Sequence, residues 1–160
     1  MTLEQRAMEL LESCRQRSLK LATAESCTGG MVAALLTYVA GSSDVFDCGF
    51  VTYSNEAKER ILGISRNLLT EHGAVSRACA QAMAHGAILQ SAATLAVSIT
   101  GIAGPGGGSV EKPVGLVHFA CARRNGATQH REMRFGDIGR ATVRLASVDI
   151  ALELLEAQLR

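Results

Sequence analysis

The sequence predicts an α/β domain on an open sheet of about five strands, and three observations carry that prediction. Residues 21–40 read as strand, tight turn and helix: Leu21 to Ala24 is short and apolar, Glu25-Ser26-Cys27-Thr28-Gly29-Gly30 turns, and Met31 to Ala40 is an apolar run. An alanine-rich helix from Arg77 to about Ser91 then leads into Thr94-Leu95-Ala96-Val97-Ser98-Ile99-Thr100, a strong strand signal. Finally, Val114 to Ala122 and Ala127 to Phe135 flank Arg123-Arg124-Asn125-Gly126, whose Asn-Gly marks an antiparallel hairpin.

The remaining elements follow from caps and periodicity. Thr2 and Gln5 form a capping box ahead of Leu3, Ala7, Leu10 and Cys14, which share one face of a first helix. Residues 28–40 are apolar nearly all round, which predicts a helix deeply buried or shared with another subunit. In Val45 to Ser54, Phe46, Cys48, Phe50 and Thr52 alternate with Asp47, Gly49, Val51 and Tyr53, as in a strand. A short helix follows, with Ser54 or Asn55 as cap and Gly63 as stop, and Ser65 and Ser76 cap two more. The last helix is read with Ala141, Leu145, Val148, Leu152, Leu155 and Leu159 on its core face.

Composition narrows the function. A chain of 160 residues is one domain by size, spanning 1–160. Its net charge of +1 gives no field to attract nucleic acid or an anionic membrane. Four Phe, two Tyr and no Trp leave no stacking platform for single-stranded nucleic acid. Cys14, Cys27, Cys48, Cys79 and Cys121 contain no C-x-x-C pair, so neither a disulfide framework nor a zinc site is indicated. His72, His85, His118 and His130 lack ligand spacing, and no metal or cofactor is expected. No apolar run nears the roughly 18 residues that cross a bilayer, and no signal segment opens the chain. A soluble cytoplasmic protein is expected.

Chemistry concentrates in two loops and one helix start. Ser26 stands between a strand's carboxyl end and a helix N-terminus, where free amides can hold an oxyanion. Alone, Ser26 or Thr28 reads as readily as an N-cap. A cap needs one such residue, however, and Glu25, Ser26, Cys27 and Thr28 are four in a row, followed by two glycines that admit close approach. Gly101-Ile102-Ala103-Gly104-Pro105-Gly106-Gly107-Gly108-Ser109 could cradle a phosphate with its amides or be a flexible turn. It is neither a Walker loop nor a dinucleotide fingerprint, because Lys112-Pro113-Val114-Gly115 leads into a strand. Arg140 and Arg144 open the last helix, where cations oppose the macrodipole. A bound phosphate would explain them, and so would a salt bridge to Asp137 or Glu132.

Together, Ala24-Glu25-Ser26-Cys27-Thr28-Gly29-Gly30, Tyr53-Ser54-Asn55-Glu56-Ala57-Lys58, Gly73-Ala74-Val75-Ser76 and Gly101-Ile102-Ala103-Gly104-Pro105-Gly106-Gly107 with Lys112-Pro113-Val114-Gly115 resemble, in order, the motif series of the CinA C-terminal domain family. The resemblance covers nearly the whole chain. It implies a three-layer αβα sandwich with a mixed, mostly parallel sheet. It also implies a nicotinamide-nucleotide amidohydrolase that converts nicotinamide mononucleotide to nicotinate mononucleotide and ammonia, in pyridine-nucleotide salvage. Longer members carry an additional N-terminal domain, and the chain is expected to match the stand-alone form.

By the resemblance Ser26 is the nucleophile and Lys58 its base, with Tyr53 nearby to pass a proton, fix Lys58 or merely pack. Amides of Thr28, Gly29 and Gly30 would hold the oxyanion. Gly101, Ala103, Gly104, Gly106, Gly107 and Arg140 would bind the nucleotide. Neutral Lys58 requires a pKa well below its ordinary value of about 10.4, which burial favours. The family pattern has Gly-Asp-Arg, two residues, an apolar residue and Arg, whereas this chain reads Gly136-Asp137-Ile138-Gly139-Arg140-Ala141-Thr142-Val143-Arg144. Two residues intervene before Arg140, so its placement is in question. The expected partner is the small nucleotide, and the apolar helix suggests a homo-oligomer. Two rivals stand beside this reading: a nucleotide-binding regulatory module without turnover, and a thiol hydrolase using Cys27, whose thiolate a helix start would favour.

Overall fold

The computed structural model describes residues 1–160. The elements are α1 (Leu3–Gln16), β1 (Leu21–Glu25), α2 (Met31–Tyr38), β2 (Phe46–Val51), α3 (Asn55–Leu62), α4 (Arg66–His72), α5 (Arg77–Leu89), β3 (Leu95–Gly101), β4 (Leu116–Arg123), β5 (Thr128–Arg134) and α6 (Arg140–Ala157). The caps fall where the sequence places them: Thr2 and Gln5 close the capping box on α1, and Ser54, Ser65 and Ser76 cap α3, α4 and α5.

The sheet order is β2-β1-β3-β4-β5. β1 pairs in parallel with β2 and β3, while β4 is antiparallel to β3 and β5 to β4. Only β4 therefore runs against the rest, which is the mixed, mostly parallel sheet expected. The chain leaves β1 for β2 on one side and returns to β3 on the other. In open α/β sheets such a switch point opens a crevice at the strands' carboxyl ends.

Strand alternation sorts residues into two cores of different texture. Leu21, Leu95, Val97, Ile99, Val117, Phe119 and Cys121 pack with α1, α2 and α6 in one buried cluster. Ala22, Ala24, Ala96, Ala120 and Ala122 face α5 and the ends of α3 and α4 in the other. These two helical layers on one sheet make the three-layer αβα sandwich. Alanines let α5 lie close on the sheet, and α5 is itself pressed against α3. A Cβ added at Gly86 would stand 2.3 Å from Leu62 O. Alanine there would gain about 1 kcal/mol of helix propensity, but overpacking of about 1–3 kcal/mol outweighs it.

Two helical expectations need correction. α2 starts at Met31 and is not deeply buried, since only Val32 and Leu36 are fully buried and Ala34, Thr37 and Tyr38 are exposed; of the two readings, the one in which its face is shared with another subunit stays open. In α6, Ala141 and Leu145 are exposed, and Val143, Ser147, Ile150, Ala151 and Leu154 join Val148, Leu152 and Leu155 inside. Apolar residues lie on more than one face of α6, so periodicity alone does not choose the inward one. Arg6 of α1 decides part of it by binding Glu156 (2.9 Å) and Asp149 across the helix pair.

Candidate active site

The site begins where β1 ends. Along β1, Ala22 and Ala24 face α5, and the same alternation turns Ser26 toward that side, while Glu25 points under α2. The Ser26 amide still donates to Ile99 O (2.9 Å), extending the sheet register by one residue. Glu25 is fully buried and acts as the cap that the sequence assigned to Ser26 or Thr28. Its Oε1 accepts from Thr28 Oγ1 (2.7 Å) and Val32 N (2.9 Å), and its Oε2 from Ala33 N (3.0 Å). The positive end of α2 thus already holds an anion, and Gly30, at φ +103°, makes no side-chain cap bond. Ser26 is left free for other work.

Lys58 comes to Ser26 from α3. Its side chain is 1% exposed, although Glu56, Glu59 and Arg60 beside it face outward or halfway so. Nζ lies 3.1 Å from Ser26 Oγ, 3.0 Å from Thr52 O and 3.3 Å from Tyr53 O. Burial holds the Lys58 pKa below the usual lysine value, and only the Cys79 and Cys27 thiols act the other way. Cys27 is also buried, and burial pushes its thiol up to about 11. That is the reverse of the thiolate character expected for it at a helix start.

A cavity of about 280 Å³ opens over this pair. Ser26, Cys27, Tyr53, Asn55, Lys58, Ala74, Val75, the stretch Thr100 to Gly104, Gly106, Gly107 and Arg140 line it. It lies at the switch point, between the turn after β1 and the glycine loop after β3. All five glycine-loop residues singled out from the sequence are on its wall. Gly104, at φ +84°, is needed there because a Cβ would stand 2.7 Å from Val114 Cγ1.

Three predicted roles change. Thr28, Gly29 and Gly30 are not on the cavity wall. Thr28 serves Glu25, and the Gly29 amide is spent on Ser26 O (3.0 Å). The Tyr53 phenol meets not Lys58 but Arg140 Nη2 (3.0 Å), so Tyr53 reaches Lys58 only through its backbone carbonyl. The arginines make no bridge to Asp137 or Glu132; Glu132 pairs with Arg134 instead (2.7 Å). Arg140 stands at the cavity despite the two extra residues before it and donates to Gly104 O (2.8 Å). Arg144 donates to Cys27 O (3.0 Å) and Thr28 O (3.3 Å).

Part of the wall carries no functional signal in the sequence. Asn55 reads as a helix cap and Thr100 as the end of a strand. Thr100 Oγ1 donates to Ala74 O (2.8 Å), fixing the Gly73-to-Ser76 loop against the cavity. The one available signal was that loop's place among the ordered motifs, and it carried no role.

Residues 3–159 match the model of the CinA C-terminal domain. A "CinA-like protein" of Synechococcus sp. (strain RCC307) is 51% identical over 96% of the chain. A "putative competence-damage inducible protein" of Caldicellulosiruptor bescii is 47% identical over 90% of it. The chain spans only 37% and 34% of these two relatives. Among solved structures, the competence/damage inducible protein CihA from Agrobacterium tumefaciens superposes with a TM-score of 0.97 at 55% identity, covering 99% of this chain and 96% of that one. The competence damage-inducible protein A (ComA) from Klebsiella pneumoniae gives 0.94 at 37% identity, covering 99% and 98%. Matched from end to end in sequence and in fold, the chain belongs to the CinA C-terminal domain family.

Proposed function

We propose that the chain hydrolyses the carboxamide of nicotinamide mononucleotide, giving nicotinate mononucleotide and ammonia, with Ser26 as nucleophile and Lys58 as its base. The observation that carries the reading is the threefold environment of Lys58 Nζ. An ammonium would donate to all three of its neighbours. A neutral amine has two N–H bonds for the carbonyls of Thr52 and Tyr53, and its lone pair is then left for the Ser26 hydroxyl proton. Burial favours that neutral form, and no carboxylate contacts Nζ to oppose it.

In the reaction, the Ser26 proton passes to Lys58 as Oγ bonds to the amide carbon. The carbon–nitrogen bond breaks as Lys58 returns the proton to the departing ammonia. Water, deprotonated by Lys58, then cleaves the Ser26 ester and restores the hydroxyl. Cys27, next to the nucleophile and on the cavity wall, offers its amide as a candidate donor to the developing oxyanion. Arg140 has only neutral partners, a carbonyl and a phenol, so a substrate phosphate would be its counter-charge. Thiol chemistry at Cys27 has the raised pKa against it, and a binding module without turnover gives no use to a lysine buried against a serine.

The test is ammonia release from nicotinamide mononucleotide by the wild type, Ser26→Ala and Lys58→Ala, with a chelator present. Turnover by the wild type alone is expected. Binding without turnover by all three would leave a nucleotide-binding module instead.

A further inference from the structure

Arg144 stands one turn into α6 and is not part of the cavity wall. Its two hydrogen bonds hold the carbonyls of Cys27 and Thr28, in the turn that follows Ser26. The Gly29 amide holds the carbonyl of Ser26, so three successive carbonyls of this turn are gripped. A trans peptide points its N–H opposite to its own C=O. With Ser26 O and Cys27 O anchored, the amides of Cys27 and Thr28 face the other way. Neither donates to an oxygen within the chain; the Cys27 amide has only its own thiol sulfur beside it, and Cys27 is the one of the two on the cavity wall. An amide at the cavity without an oxygen partner is uncommon, which marks that of Cys27 as a donor kept for a ligand oxygen.

Charge points the same way. The Glu25 carboxylate is buried in this same turn and would oppose a growing oxyanion. Arg144 is a cation against the turn whose only hydrogen bonds go to neutral carbonyls, so its charge is free to offset Glu25.

We propose that Arg144 is a positioning residue for the hydrolysis: by gripping the carbonyls of Cys27 and Thr28 it presents the Ser26 hydroxyl to the amide carbon and the Cys27 amide to the oxyanion. This rests on the serine and lysine reading above.

The experiment compares wild type, Arg144→Ala, Arg144→Lys and Arg144→Gln in two assays, with urea midpoints to establish folding. One assay is steady-state turnover of nicotinamide mononucleotide. The other is the rate at which a small fluorophosphonate labels Ser26, which needs the nucleophile and its oxyanion donors but not the substrate. Arg144→Ala is expected to lower kcat and labelling together by about tenfold to a hundredfold, with KM little changed. Arg144→Lys, which keeps a cationic donor, should recover part of both. Equal labelling of wild type and Arg144→Ala would overturn the proposal, as would a change in KM alone. If Arg144→Ala does not fold, a Gln variant as fast as wild type overturns it. Labelled wild type that releases no ammonia overturns the substrate reading only, while unlabelled, inactive wild type removes the nucleophile and this proposal with it.

Discussion

Lys58 Nζ and Ser26 Oγ stand 3.1 Å apart, in a place where both residues are buried and no carboxylate touches either. Most buried lysines are paired with an acid, because an isolated ammonium is costly to desolvate. Here two backbone carbonyls take its place. They orient Nζ without supplying the charge that would keep it protonated, and that is the arrangement a base needs.

The pH dependence of turnover follows from this. Because burial lowers the Lys58 pKa, kcat/KM should rise with pH through a pKa below the ordinary lysine value and then level off. Lys58→Ala should remove that limb and lower kcat by about 10²–10⁴-fold. A wild-type profile that is flat across the neutral and alkaline range would sink the assignment of Lys58 as base.

Tyr53 and Arg140 separate binding from chemistry. Tyr53→Phe removes the phenol that accepts from Arg140 but leaves the carbonyl that accepts from Lys58. Losing one exposed hydrogen bond is worth about 0.5–1.5 kcal/mol, a few-fold to about tenfold. We expect it in KM, with kcat nearly intact. Arg140→Ala should raise KM more strongly, and added salt should weaken wild-type binding in the same direction. A collapse of kcat in Tyr53→Phe would instead make the phenol part of the proton path.

Glu25 is expected to matter for stability first. Its three bonds all come from donors, and two of them are amides of α2. Glu25→Gln keeps one acceptor oxygen and turns an NH₂ toward a donor. Leaving one buried donor unmatched costs about 1–3 kcal/mol, readable as a lower urea midpoint with an unchanged slope. An unchanged midpoint would show that the cap contributes nothing.

How far the sequence could be read differs between the frame and the site. Strand alternation, four side-chain caps and the Asn-Gly hairpin are local signals, and each element they announced is present. Ser26, Lys58 and the glycine loop converge because the strand order puts the ends of β1 and β3 side by side. The misreadings share a cause. Which of Glu25, Ser26 and Thr28 would cap α2 depended on Glu25 reaching amides seven and eight residues ahead, a reach that no cap pattern encodes. Apart from the Tyr53 phenol, the partners of Arg140 and Arg144 are carbonyls over 35 residues away, and carbonyls have no residue identity to read. The inward face of α6 was ambiguous because it is apolar on several faces.

Four buried thiols lead to the last expectation, a loss of stability in alkali. Burial pushes Cys14, Cys27 and Cys79 up to about 11 and Cys121 to about 12, from an ordinary 9.0. A thiol whose pKa is raised by folding contributes stability that is complete below its unfolded pKa and is lost as pH rises toward its folded one. Between about pH 9 and 11 the unfolded chain has released these protons and the native chain has not. Each thiol can then lower the unfolding free energy by up to about 1.4 kcal/mol per pH unit. Lys58 opposes them, because its lowered pKa makes the native state gain on the unfolded one between its folded pKa and the ordinary lysine value. One lysine against four thiols leaves a net loss. Urea midpoints in the presence of a reductant should fall from about pH 8.5 to 10.5, and Cys121→Ala should make the fall shallower. A midpoint that holds steady or rises over that range would mean that these thiols ionise as easily in the folded chain as in the unfolded one.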